Sequence, residues 1–174
     1  QSVSVTSVTC SDGYWLLEED SQVYNFGNAP DHADEAGSGA NAVDIQATPD
    51  GCGHWVVRAD GTVTASGGAT ALGNFNLASL EAGESLNTIS STVSGNGLWG
   101  FTTKGRVLTL GDATSFGDLL AFTLNGGIID SATTPSGDGY YMLGSDGGIF
   151  AFGDAVYVDS LPGLGINNLN SPAV

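Results

Sequence analysis

Residues 134–155 read TPSGDGYYMLGSDGGIFAFGDA, and this stretch decides how the chain folds. An apolar run that begins at Tyr140 is followed by the turn sequence Ser-Asp-Gly-Gly and then by a second apolar run that ends at Phe152. Apolar runs on both sides of an Asp-Gly pair are typical of a β-hairpin, because glycine accepts the positive φ angle that tight turns require. The segment therefore predicts two antiparallel strands, 140–144 and 148–152, joined by a tight turn.

The same spacing recurs in four copies along the chain. Each copy has an aromatic residue, a turn residue six positions later, a glycine six positions after that and an alanine two positions further on. The aromatic residues are Trp15, Trp55, Trp99 and Tyr141, so the period is 40 to 44 residues. The first copy departs at one point, because Ser21 stands where the other turns have glycine. A spacing that is kept without gaps over this period indicates an internal structural repeat.

Each repeat is expected to hold three or four antiparallel strands, because a further β-rich stretch precedes every hairpin. These stretches cover residues 3–9, 43–47, 88–92 and 128–133. Three or four strands in about forty residues are typical of a propeller blade. We therefore predict one all-β domain over residues 1–174, with repeats near 2–42, 43–85, 86–127 and 128–174, arranged as a four-bladed β-propeller. Half of a larger ring and an open array are the alternative arrangements.

The sequence from Thr134 to Ala155 resembles a repeat that is common in secreted actinobacterial proteins. The resemblance extends over the whole chain and is sharpest in this fourth copy. It implies a β-propeller-like array in an extracellular setting, and it implies no catalytic residues.

The charge of the chain narrows its range of partners. The formal net charge is −16, from 19 acidic residues against Arg58, Lys104 and Arg106. A surface of this sign repels nucleic-acid phosphates and anionic membranes, so we expect neither as a partner. No apolar run is long enough to predict insertion into a membrane. The chain begins at Gln1 rather than at methionine, which we interpret as the processed N-terminus of a secreted or cell-surface protein.

Cys10 and Cys52 are the only cysteines, and each precedes the aromatic strand of its repeat. Their nearly equivalent positions in neighbouring repeats predict a disulfide in a secreted protein, and two buried thiols are the alternative. The disulfide would tie the first repeat to the second.

The recurrent residues indicate packing and turns rather than catalysis. The aromatic column is expected to pack between repeats, and its alternative role is to stack on sugar rings. The repeated aspartates are expected to cap turns. No cofactor is expected, although the acidic loop from Asp31 to Glu35 is a candidate for calcium. Since no nucleophile, phosphate-binding or metal motif is present, we predict that the protein is not an enzyme, with a hydrolase using an unrecognised acidic site as the catalytic alternative.

Two features favour contacts between copies of the chain. The basic residues Arg58, Lys104 and Arg106 lie in the hairpins of the second and third repeats, whereas the other two hairpins are acidic. The acidic hairpin residues are Glu18, Glu19, Asp20 and Asp146. Such polarity favours a head-to-tail contact between copies, and charged turn tips that only face solvent are the alternative.

The second feature is the C-terminal tail, which resembles the entry into another first strand and can latch a ring or pair with a neighbouring sheet. Its residues are Pro172, Ala173 and Val174. From both features we predict a structural module that self-assembles or mediates adhesion, with a lectin-like, glycan-binding propeller as the alternative. The predicted partners are therefore the chain itself or an extracellular glycan or protein.

Overall fold

The computed structural model describes residues 10, 12–32, 39–167, 169 and 171–173. These residues form four antiparallel sheets and contain no helix, which confirms the predicted all-β class and its repeats. The first sheet holds β1 (Gly13–Leu17) and β2 (Val23–Gly27). The second holds β3 (Ala42–Ala47), β4 (Gly53–Arg58) and β5 (Val63–Gly67). The third holds β6 (Leu86–Ser91), β7 (Gly97–Thr102) and β8 (Val107–Gly111). The fourth holds β9 (Ile128–Thr133), β10 (Gly139–Gly144) and β11 (Ile149–Gly153).

The range of described residues bears on two sequence predictions. The strand expected at residues 3–9 lies outside the described residues. Within the described part of the chain, no helix is long and apolar enough to cross a membrane.

The four hairpins share one register. In each hairpin, the glycine that begins the first strand pairs with the glycine that ends the second, as Gly139 pairs with Gly153. The turn glycines at 61, 105 and 147 have φ angles between 76° and 86°. Ser21 adopts the same left-handed conformation, with φ at 76°, so the first turn keeps its geometry without glycine. The repeat inferred from spacing is therefore a repeat in structure.

The strands β3, β6 and β9 precede their hairpins and lie next to one another. A register shift interrupts the pairing of each of these strands with its hairpin. Side-chain hydrogen bonds connect the neighbouring strands. The Asp44 carboxylate accepts from the Ile89 N–H at 2.8 Å and from the Thr88 hydroxyl at 2.9 Å, and Ser90 and Ser131 share a hydrogen bond of 2.8 Å. These polar contacts connect β3 to β6 and β6 to β9.

Apolar side chains between successive sheets form two buried clusters. One cluster joins the second and third sheets and includes Trp55 and Leu98. The other joins the third and fourth sheets and includes Trp99, Phe101 and Tyr140. Full burial of such a side chain stabilises a fold by about 1.5–3 kcal/mol, so contacts between sheets are a main source of stability.

Aspartates in the turns accept hydrogen bonds, as the sequence predicts. Asp146 accepts from the Gly148 N–H at 3.0 Å within the fourth hairpin turn. Asp154 accepts from the hydroxyls of Ser136 and Thr134, and these two bonds lower the pKa of its carboxyl group. Carboxylates that are engaged in this way stabilise turns.

A disulfide joins Cys10 to Cys52, with 5.1 Å between the two Cα atoms, as predicted. It closes a loop with a sequence separation of 42 residues and ties the start of the first hairpin to the second sheet.

Candidate self-association surface

Alternation of side chains gives every hairpin two faces. We define the trailing face as the one that carries the recurrent aromatic residue: Trp15, Trp55, Trp99 or Tyr141. We define the leading face as the one that carries the residue before it: Tyr14, His54, Leu98 or Tyr140.

The trailing face of each sheet packs on the leading face of the sheet that follows it in sequence. The ring of Trp15 lies 5.0 Å from that of His54, between the first and second sheets. Trp55 packs with Leu98 in the next contact. Trp99 lies 5.8 Å from Tyr140, measured between ring centroids, in the last. One kind of contact therefore holds the four sheets together and leaves one face at each end of the stack.

Within the described part of the chain, no sheet covers the leading face of the first sheet. Tyr14 and Leu16 of β1 are 58% and 53% exposed, and Tyr24 and Phe26 of β2 are also exposed. Tyr14 and Phe26 stack on each other with 5.1 Å between ring centroids. Four large apolar side chains thus form a continuous exposed surface on one hairpin.

The trailing face of the fourth sheet is also incompletely covered. Tyr141 and Leu143 are half-buried, whereas the equivalent Trp99 and Phe101 of the third sheet are buried. The loop after β11 also exposes apolar side chains, and Val158 is 87% exposed. The last sheet therefore ends the stack with an apolar surface of its own.

The C-terminal tail contacts this last sheet. The Ala173 N–H donates to the Ser145 carbonyl at 3.0 Å. Ala42 and Ile128, which begin β3 and β9, donate in the same way to the hairpin turn of the preceding repeat, at 2.8 and 3.0 Å. Ala173 therefore occupies the position from which another first strand would begin, and Pro172 lies beside it. Val174 lies outside the described residues.

The aromatic column serves packing in the middle of the stack, where Trp55 and Trp99 are only 0% and 1% exposed. Each column residue also donates a hydrogen bond to the carbonyl 15 residues later, as the Trp99 indole does to Thr114 at 2.8 Å. The two central tryptophans are therefore inaccessible to a sugar ring. Trp15 and Tyr141 are half-buried at the two ends.

The three basic residues have partners within the chain. Arg58 is buried and donates to the Ser21 hydroxyl at 3.2 Å, across the contact between the first two sheets. Lys104 pairs with Glu81 at 2.9 Å, and Arg106 pairs with Glu84 at 2.8 Å. These partners lie within one chain, and the Lys104 side chain stays 40% exposed, so the head-to-tail contact through the basic hairpins stays a prediction.

The acidic hairpin tips have local partners too. Glu19 accepts a hydrogen bond from the Asn41 amide, and Asp20 accepts from the Gln22 N–H at 3.1 Å. Glu18 donates its backbone N–H to the Gln22 carbonyl and keeps an exposed side chain. Together with Asp146, these residues cap or border turns.

His54 fills the contact between the first and second sheets. Its ring lies 5.0 Å from Trp15 and 5.6 Å from His32. Burial, followed by the proximity of His32, lowers the pKa of His54 to about 4. The ring is therefore neutral near pH 7 and acts as a packing residue.

The acidic side chains of the described residues form no cluster that could hold a metal ion, since no group of three or more His, Cys, Asp or Glu side chains suited to one occurs there. The calcium candidate loop is described only at Asp31 and His32, because residues 33–38 lie outside the described set. Burial raises the pKa of Asp44, against the lowering effect of its hydrogen bonds to Ile89 and Thr88. Its interactions connect β3 to β6.

The apolar surfaces at the two ends are the feature that the sequence did not single out. The sequence does contain a signal for the leading face, because Tyr14 and Phe26 of the first hairpin match Tyr140 and Phe152 of the fourth. Sequence alone gave no sign of which leading face stays uncovered.

Comparison with protein-family models and with curated protein sequences finds no match to the chain.

Proposed function

We propose that the protein is a non-catalytic, secreted or cell-surface structural module that works through self-association. The observation that supports this proposal is the apolar surface at each end of the stack of sheets, which is exposed on the first sheet and incompletely covered on the fourth. Terminal repeats of stacked-repeat proteins need polar outer faces to stay soluble alone, so apolar ends favour a partner. The disulfide agrees with an oxidising, extracellular compartment.

The arrangement that we favour is the open array rather than a ring closed within one chain. Closure of a four-bladed ring would place the fourth sheet against the first. The exposure of Tyr14 and Leu16 argues for open ends in the single chain. The resemblance to secreted propeller-like repeats agrees with both arrangements.

A glycan-binding role is the second candidate, and a specific observation favours it. Tyr14, Tyr24 and Phe26 are exposed aromatic side chains on one hairpin, and exposed rings stack well on sugars. This role would use the first sheet alone and would need no contact between copies.

Light scattering after size-exclusion chromatography, combined with electron microscopy, tests the proposal. We expect species larger than a monomer, and their proportion should increase with protein concentration. A glycan array run in parallel separates the candidates. A strict monomer that binds a defined glycan would replace the proposed function with the second one.

A further inference from the structure

We propose that the trailing face of the fourth sheet in one copy of the chain stacks on the leading face of the first sheet in the next copy. This inference rests on the proposed self-association and names the surfaces that carry it. The contact would repeat, between copies, the packing that already joins successive sheets within the chain.

The first argument is a match between two leading faces. The identical hairpin register makes Tyr14, Leu16, Tyr24 and Phe26 of the first sheet equivalent to four residues of the fourth sheet. Those four are Tyr140, Met142, Phe150 and Phe152. Two of the four positions carry the same residue, and the other two carry apolar residues of similar size. In the fourth sheet, a leading face of this composition is covered by the trailing face of the third sheet.

The second argument is the difference in exposure between these matched faces. Tyr140 and Met142 are 0% exposed because the third sheet covers them, whereas Tyr14 and Leu16 are more than half exposed. The first sheet thus has the side chains of a covered leading face, and no sheet formed by the described residues covers it. A second copy of this chain supplies a sheet of the required kind.

The third argument concerns the covering side. Within the chain, the loop after β8 helps to cover the fourth sheet, and the Phe116 ring lies 5.7 Å from that of Tyr140. Val158 holds the equivalent position in the loop after β11, at the same distance in sequence from the aromatic column. The Tyr141 hydroxyl donates to the Val156 carbonyl of that loop at 3.1 Å. The Trp99 indole donates to the Thr114 carbonyl of the earlier loop in the same way. The fourth sheet therefore carries the parts of a trailing face in their usual places.

Such a contact joins two different surfaces, so it builds a filament when the rotation between copies does not close and a ring when it does. Each copy carries a formal net charge of −16, and both contact faces lie near acidic turns. Repulsion between copies should therefore oppose assembly at low ionic strength and weaken when salt screens it. A contact driven by opposite charges would show the reverse dependence.

Two single variants test the contact from its two sides. Leu16→Glu places a charge on the exposed leading face, and Val158→Glu places one on the exposed trailing loop. Both positions are on the surface of the single chain, so the thermal unfolding midpoint of the monomer should change little. Val93→Glu is the matched control, because Val93 is 54% exposed and lies in the turn between β6 and β7, away from both faces.

We expect wild type and Val93→Glu to form large species whose proportion increases with salt. Each of the other two variants alone should lose all species larger than a monomer. An equal mixture of Leu16→Glu and Val158→Glu should form a dimer with one copy of each, because each variant keeps the face that the other lacks.

Each contrary outcome has a distinct meaning. Self-association that both variants leave unchanged would overturn this contact while leaving the proposed function in place. Dimers formed by either variant alone would also overturn it, because they would require a symmetric contact. A wild-type protein that stays monomeric at every salt and protein concentration would overturn the proposed function and this contact together.

Discussion

Glu84 offers a sharp test of how electrostatics stabilises the third sheet. Its carboxylate accepts from the Arg106 guanidinium at 2.8 and 3.1 Å and from the Thr102 hydroxyl at 2.7 Å. Burial opposes ionisation, but the hydrogen bonds from Arg106, the Glu81 N–H and Thr102 outweigh it. The pKa of Glu84 is lowered from 4.5 to about 2 as a result.

The size of the effect follows from this lowering of the pKa. A tenfold change in proton affinity corresponds to about 1.4 kcal/mol, so ionised Glu84 contributes about 3 kcal/mol to the free energy of unfolding. Because the folded-state pKa lies below the unfolded value, this contribution is complete above about pH 4.5 and is lost as the pH falls towards 2.

The test is urea unfolding of wild type and Glu84→Gln across this pH range. Near pH 7 the variant should be less stable by about 3 kcal/mol, and the difference should shrink as wild-type Glu84 becomes protonated. Glu81→Gln is the control, since its ion pair with Lys104 is exposed and such pairs contribute about 0–1 kcal/mol. A difference that stays constant with pH, or one no larger than that of the control, would refute this account of Glu84.

Three further predictions concern the joints and turns of the stack. Reduction of the Cys10–Cys52 disulfide, or a double change to serine, should lower stability by about 4 kcal/mol on the chain-entropy estimate, measured by urea unfolding. The folded-state pKa of His54 is lowered from 6.5 to about 4, so wild type should lose stability as the pH falls through that window. His54→Leu, which carries the residue of the third repeat at this position, should lose less over the same window, and equal losses would contradict this account. Gly105→Ala should destabilise the protein more than Gly83→Ala. Both glycines have a positive φ angle, but only at Gly105 would the new Cβ lie 2.6 Å from the Cβ of Leu119. Equal thermal unfolding midpoints for the two variants would contradict this prediction.

The hairpins could be predicted from sequence because their signals are local. The Asp146–Gly147 turn and the apolar runs beside it lie within one short segment, and fixed spacing carries the same interpretation to the other copies. Ser21 shows that the spacing was more reliable than residue identity, since it takes the left-handed conformation of the turn glycines. The disulfide was predictable because equivalent positions in neighbouring repeats lie close together.

The position of Arg58 was less accessible to sequence reasoning. It was grouped with Lys104 and Arg106 by charge and by its place in the hairpin. Alternation along β4 places Arg58 on the same face as His54, and that face packs against the first sheet. Its hydrogen bond to Ser21 joins two residues that do not hold equivalent positions in their repeats, so the repeat spacing did not pair them.

The apolar surfaces at the two ends could not be predicted from sequence for a related reason. Tyr14 and Leu16 form the same pattern as Tyr140 and Met142, and the pattern alone does not distinguish a covered face from an uncovered one. Only the order of the sheets in space shows that the first hairpin has no sheet before it among the described residues.

The shared hairpin register has a consequence for how such a chain can lengthen. At every contact between sheets, a trailing face packs on the next leading face in the same hairpin register. A duplicated segment such as residues 86–127, inserted in tandem, would therefore meet compatible faces on both sides. Its Leu98 surface would receive the Trp99 surface of the original segment, much as it now receives Trp55. Gene duplication or protein engineering could therefore vary the length of the molecule one module at a time, without redesigning any joint.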